Sequence, residues 1–154
     1  MPEHPDDRLA ARGITLPDPP APAAAYVPTR AHGDVVHVAG QVAVAEGELV
    51  ARGVVGADVS REEAERCARQ CAVNVLAQLR AAADGDLARV RLIKVGVYVA
   101  STPAFTDQHL VANAASELLG DVLGDDGAHA RAAVGVAALP LGSPVEVDAI
   151  AAIG

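Results

Sequence analysis

The chain has 154 residues, 51% of them apolar, and a formal net charge of −8. That length suits one domain around one core, and the apolar share excludes a disordered chain. Aromatic residues make up only 2%; with the acidic balance and scattered basic residues this excludes a base-stacking platform, so no nucleic-acid partner is expected.

Residues 1–25 read as an N-terminal arm. Its start, Met1 to Asp7, is acidic and broken by proline, unlike a signal peptide. No stretch is apolar and long enough to span a bilayer. A cytoplasmic protein with no membrane partner is therefore expected. Asp6 to Arg12 fits a short helix ended by Gly13. Leu16 to Pro22 carries four prolines and reads as an extended, polyproline-like segment, lying over the domain surface or reaching a neighbouring subunit.

The body, 26–154, begins at Tyr26. Val35 to Ala39 is a short strand after the turn His32-Gly33-Asp34. Gly40-Gln41 follows, then Val42 to Val44; a glycine inside a strand pattern points to a bulge or a close backbone approach. Glu46 to Glu48 is a turn, and Leu49 to Val55 a weak strand. Ser60-Arg61-Glu62-Glu63 is a capping box. It opens a helix whose stripe is Ala64, Cys67, Ala68, Cys71, Val75, Leu79 and Ala82, closed by Asp84-Gly85-Asp86. Cys67 and Cys71 lie one turn apart and read as small buried apolar residues.

Val90 to Ala100 is a strand with Ile93, Val95, Val97 and Val99 on one face and Lys94, Gly96 and Tyr98 on the other. Thr102-Pro103 starts a second helix, with proline at its first position. Leu110, Ala114, Leu118 and Val122 form its stripe, and residues 124–127 end it. The last third reads as a hairpin: Ala132 to Leu139, a turn over Pro140 to Pro144, and Val145 to Ile153. The order β-β-β-α-β-α-β-β gives an α+β fold, a mostly β sheet with helices on one face. Its other face, rich in valine and alanine, is expected to bury against partner subunits.

Four polar residues stand out. Arg131, flanked by alanines at the rim of an apolar sheet, suits bidentate capture of a carboxylate, or is an ordinary strand-end arginine. Glu146 between Val145 and Val147 can activate a water, or shares the wet face of an amphipathic strand with Asp148. Asn113 beside the second helical stripe can bond a ligand or a loop. Tyr26 can line a pocket or fill an interface. The histidines show no metal-binding spacing, and no nucleophile elbow, phosphate loop or dinucleotide fingerprint occurs. No metal and no cofactor is expected.

Several of these features recur together. Ala39-Gly40-Gln41 is similar to the S-G-Q segment of the RidA (YjgF) family. Arg131-Ala132-Ala133-Val134, Leu139-Pro140, and Val145 to Ala151 follow that family's signature R-x-x-V…L-P…(V/I)-E-(V/I)-E-x-I-A. Phe105, Asn113 and Glu117 match its second helix, and the spacing from Tyr26 to Gly40 also fits. Over roughly residues 26 to 153 the chain thus resembles this family of reactive-imine deaminases. The resemblance implies a chorismate-mutase-like fold and a homotrimer with clefts between subunits. It implies hydrolysis of small 2-imino or enamine carboxylates to 2-oxo acids and ammonia, without a cofactor. Carried over, Arg131 clamps the substrate carboxylate and Glu146 positions the water. Tyr26, Ala39, Gly40, Asn113 and Ala133 line the cleft, and the Ala133 carbonyl helps to hold the water. Ala39 stands where many members have serine or threonine, and Ala133 where many have cysteine, which leaves the site more apolar. The alternative is a trimer that binds small carboxylates without turnover.

Overall fold

The helix that the capping box announces anchors the structure, a computed structural model in which residues 3–154 are described. In α2 (Arg61–Ala82) the Ser60 hydroxyl accepts the Glu63 amide at 3.1 Å, and the Glu63 carboxylate accepts the Ser60 amide at 2.9 Å. The bond from the Ser60 amide holds the Glu63 carboxyl below its ordinary value. Ala64, Cys67, Ala68, Cys71, Val75 and Leu79 are all fully buried. Both cysteines are free, and burial pushes the Cys67 thiol up to about 11.

Five strands form the main sheet: β1 (Thr29–His32), β2 (Val35–Val42), β5 (Val90–Ala100), β6 (Ala130–Val136) and β7 (Val145–Ile153). Their order is β1-β2-β7-β5-β6. A two-strand ribbon of β3 (Val44–Ala45) and β4 (Glu48–Leu49) stands apart. All main-sheet pairs are antiparallel except β5 and β6. α2 and α3 (Gln108–Leu123) pack on each other and on one face of the sheet. There Val145, Val147, Ala149 and Ala151 of β7 and Val95, Val97 and Val99 of β5 make the core with the two helical stripes. The fold is the expected α+β, chorismate-mutase-like class.

The structure corrects four expectations. The last two strands do not form a hairpin: β6 ends at Val136 and runs parallel to β5, while β7 inserts between β2 and β5. Strict alternation shows that one face of a strand is buried but leaves its neighbours unspecified. A tight turn at Pro140–Gly142, with Leu141 and Gly142 at positive φ, redirects the chain. On β5 the register slips between Leu92 and Lys94, so Leu92 is buried and Ile93 is 44% exposed; one extra residue swaps the faces. The second helix begins at Gln108, five residues after Pro103, because the Thr102 amide bonds to the Val55 carbonyl at 3.0 Å and holds that segment as a turn. Leu49 to Val55 supplies only the end of β4 and a single bridge residue, Val55.

The arm follows its own chain. α1 (Pro5–Ala11) buries Leu9, and Leu16 is buried beyond it. The Gln78 amide of α2 donates to the Pro20 carbonyl at 2.8 Å. The polyproline segment thus lies over α2.

Candidate functional site

Around Glu146 the sheet leaves room for a carboxylate by omitting side chains. Glu146 alternates with buried Val145 and Val147, which puts it on the face away from the helices. Beside it, β2 bulges between Val38 and Gln41, and Ala39-Gly40 forms the bulge. A Cβ at Gly40 would collide with the Glu146 carboxylate, which explains the glycine inside the strand pattern. The same arrangement repeats one step along. Asp148 lies over Gly96 of β5, where a Cβ would also collide, and accepts the Tyr98 hydroxyl at 3.0 Å. Burial raises the Glu146 carboxyl above its ordinary value, and the nearby Asp148 charge raises it further. Burial also raises the Tyr98 phenol, helped by its bond to Asp148.

A cavity of about 150 Å³ opens beside Glu146, bounded by Tyr26, Gly40, Gln41, Leu141 and the arm at Pro20–Ala23. Two buried amides of α2, one helical turn apart, hold its walls. Asn74 donates to the Val42 and Val44 carbonyls at 3.1 and 3.0 Å, and Gln78 fixes Pro20. Tyr26, Ala39, Gly40 and Glu146 therefore share one region.

Arg131 stands elsewhere. It lies on β6 opposite Val95, a core residue, so its side chain emerges on the helix side of the sheet. There its Nη1 donates to Asn113 Oδ1 at 3.0 Å and to Ser116 Oγ at 3.2 Å. Its Nη2 donates to the His109 carbonyl at 3.2 Å. An open groove with a volume of about 690 Å³ borders it. Ala133, two residues along β6 and opposite Val97, packs against the core on the same side. Within one chain the predicted residues form two groups, Tyr26–Ala39–Gly40–Glu146 and Asn113–Arg131–Ala133. β5 separates their strands, and the two groups lie on opposite faces of the sheet.

The sequence reading missed Asn74, Gln78, Ser116 and His129. Asn74 and Gln78 carried a signal: two amides four apart inside the apolar stripe of a long helix. Ser116 and His129 carried none, because only the fold brings them to Arg131. Among the described residues no group of three or more His, Cys, Asp or Glu side chains gathers as metal ligands, and no helix is long and apolar enough to cross a membrane.

The sequence profile of the family described as Endoribonuclease L-PSP matches residues 17–153. Protein TCP17 of Trypanosoma cruzi is 46% identical over 144 residues, which cover 92% of this chain and 89% of the relative. The crystal structure of Atu1372 from Agrobacterium tumefaciens, a protein described as of unknown function, superposes with a TM-score of 0.91 at 48% identity. That match covers 97% of this chain and 92% of the other. RidA from the Antarctic bacterium Psychrobacter is more distant, with a TM-score of 0.61 at 28% identity over 88% of this chain and 94% of its own. Escherichia coli TdcF, solved with bound serine, gives 0.64 at 25% over 89% and 94%. The chain therefore belongs to the Endoribonuclease L-PSP family, the group that contains YjgF and RidA.

Proposed function

We propose that this protein hydrolyses 2-imino acids and their enamine tautomers to 2-oxo acids and ammonia, without a cofactor, in clefts between the subunits of a homotrimer. What carries this reading is the guanidinium of Arg131. It has five N–H donors in a fixed fork, and three are engaged by α3. The remaining two, on Nε and Nη2, suit side-on bidentate capture of a carboxylate. TdcF, a member of the same fold group, was solved with serine, itself a small carboxylate.

Glu146 supplies the second element. A water placed between it and the substrate attacks C2 of the imine. The imine nitrogen enters protonated; as the new C–O bond forms, the C=N π pair moves to that nitrogen and Glu146 accepts a proton from the water. Glu146 passes this proton to the amino nitrogen, takes the hydroxyl proton as the C–N bond breaks and the C=O bond forms, and hands it to the ammonia, which leaves as ammonium beside the 2-oxo acid. An imine is already electrophilic, so holding its carboxylate while presenting a water needs few groups. β6 is an edge strand, with one side of its backbone unpaired within the chain; the Ala133 carbonyl is the group assigned to steady that water.

The separation of Arg131 from Glu146 supports a site completed across a subunit boundary. One subunit contributes Arg131, Asn113 and Ala133, and its neighbour Tyr26, Ala39, Gly40 and Glu146. The valine- and alanine-rich face of the sheet, with Val134 43% exposed, supports the assembly. The family's description refers to RNA cleavage, but the charge of −8 and the few aromatics oppose an RNA substrate. Alanine at 39 and 133 favours a second reading, a trimer that binds small carboxylates without turnover.

The test generates 2-iminopropionate and related imines with an amino-acid oxidase and traps the survivors with semicarbazide. Wild type is expected to speed imine loss and Arg131→Ala to fail. Inactivity of wild type on short, branched and aromatic imines would sink the deaminase reading. Arg131-dependent carboxylate binding in that case would leave the binding reading standing.

A further inference from the structure

Behind Arg131 runs a chain of hydrogen bonds that the proposed chemistry does not use. His129 Nδ1 lies 2.6 Å from the Gly127 carbonyl, and His129 Nε2 lies 2.9 Å from Ser116 Oγ. A carbonyl only accepts, so Nδ1 carries the proton, and in the neutral ring Nε2 is left as an acceptor. The Ser116 hydroxyl then donates its one proton to Nε2. Its lone pairs face Arg131 Nη1, which donates to it at 3.2 Å. Each link fixes the direction of the next, and the chain ends on the guanidinium.

The backbone is shaped to start this chain. Gly127 is buried, and a Cβ there would lie 2.7 Å from the Leu119 carbonyl oxygen and 2.9 Å from Gly120 Cα. Only glycine lets the turn at 124–127 lie against α3 and deliver its carbonyl to His129. Ser116 sits three residues after Asn113, so the two polar side chains share one edge of α3. Both accept from Nη1.

We infer that Ser116 and His129 are positioning residues that orient Arg131, so that its free Nε–Nη2 edge faces the carboxylate of a small 2-oxo or 2-imino acid. This rests on the reading of Arg131 as the carboxylate anchor. Both line the groove that borders Arg131, and they act on the carboxylate through its guanidinium. Ser116 occupies the Nη1 end of the fork, and His129 sets the direction of the Ser116 proton, so the guanidinium plane is fixed before the ligand arrives. Pre-orientation of this kind lowers the ordering cost of binding.

The test is binding of pyruvate and of its carboxamide, measured by calorimetry on wild type, Ser116→Ala, Ser116→Thr, His129→Phe and Arg131→Ala, each checked for an unchanged melting temperature. Pyruvate affinity should fall about tenfold in Ser116→Ala, the typical effect of one hydrogen bond to a charged group. It should stay near wild type in Ser116→Thr, which keeps the hydroxyl, and fall in His129→Phe, which leaves the Ser116 proton without the acceptor that fixes its direction; wild-type affinity there removes His129 from the inference. The carboxamide has no negative charge and one acceptor oxygen in place of two, so it cannot take both donors of the Nε–Nη2 edge, and its weaker binding should vary little among these proteins. If imines turn over, the Ser116→Ala loss should fall on KM with kcat unchanged. Wild-type pyruvate affinity in Ser116→Ala, beside its loss in Arg131→Ala, overturns the inference and leaves the anchor intact. Unchanged binding in Arg131→Ala overturns the anchor and this inference together. Arg131-dependent binding without turnover removes the deaminase chemistry and keeps the positioning roles if Ser116→Ala still weakens pyruvate.

Discussion

The two halves of the candidate site are built on opposite plans. Arg131 is held by three acceptors from its own chain, two side chains and a carbonyl. Glu146 receives no hydrogen bond among the described residues; it rests over a glycine, and burial raises its carboxyl. One half is a cation already aimed, the other an anion left in want of a partner. A fully satisfied pair inside one chain would have no use for a ligand. The separation keeps both charges available, and it costs some stability at Glu146, where an ionised carboxylate is partly desolvated without compensation.

The largest expected effect tests whether the halves belong to different subunits. Arg131→Ala and Glu146→Gln should each keep at most about a hundredth of wild-type activity. Unfolded and refolded together in equal amounts, they should recover about a quarter of wild-type activity, because one ordered boundary in four joins an intact Arg131 to an intact Glu146. No recovery in mixed assemblies means that both residues serve one site from one chain. Next in size is the contrast within single variants. Glu146→Gln should lower kcat by about 10²- to 10⁴-fold, as for loss of a general base, while leaving KM nearly unchanged; Arg131→Lys should act mainly on KM. Since the folded protein raises the Glu146 carboxyl, its ionised form opposes folding above that raised value, and the effect is absent below the ordinary glutamate value. Glu146→Gln should therefore melt no lower than wild type at neutral pH. A clear drop in melting temperature would give Glu146 a structural role instead.

A smaller effect lies in the pH profile. Glu146 accepts a proton only as the carboxylate, so kcat/KM should fall as pH falls through a value above that of an ordinary glutamate. Burial is the larger cause and the Asp148 charge the second. Asp148→Asn removes the second while keeping an oxygen to accept the Tyr98 hydroxyl. The acid limb should move to lower pH but stay above the ordinary value. A limb that does not move excludes Glu146 as the group it reports.

The sequence announced the elements better than their neighbours. The capping box at Ser60, the alternation of β7 and the glycine at position 40 are local signals, and each appears in the structure for its local reason. Strand pairing is not local. The parallel crossover from β5 through α3 to β6 and the insertion of β7 beside β2 leave no mark in a period of two, so the sequence alone favours a hairpin. Ile93 failed for a related reason: one slipped residue reverses a face, and nothing in a run of β-branched residues marks where. For the candidate site, the resemblance to the family signature points to Arg131 and Glu146 by number. It did not say that they lie on opposite faces of the sheet, and composition gave no hint of Ser116 and His129, which acquire a role only beside Arg131.

Gln78 gives the smallest test and the sharpest one for the Glu146 half. Its side chain is almost fully buried on α2, and its amide holds the Pro20 carbonyl at 2.8 Å. The arm at Pro20–Ala23 bounds the cavity beside Glu146, while Leu9 and Leu16 anchor that arm independently in the core. Gln78→Leu should therefore loosen one wall without detaching the arm. The expected loss is about 1 kcal/mol of stability, the typical net worth of one neutral hydrogen bond. Tolerance of imines with longer side chains should rise relative to 2-iminopropionate, because a wall that can move admits what a fixed one excludes. The Arg131 half should not respond, since its supports lie on α3 and in the turn before β6. Equal losses on short and long substrates would mean that Gln78 supports the fold and that the arm takes no part in choosing what enters the cavity.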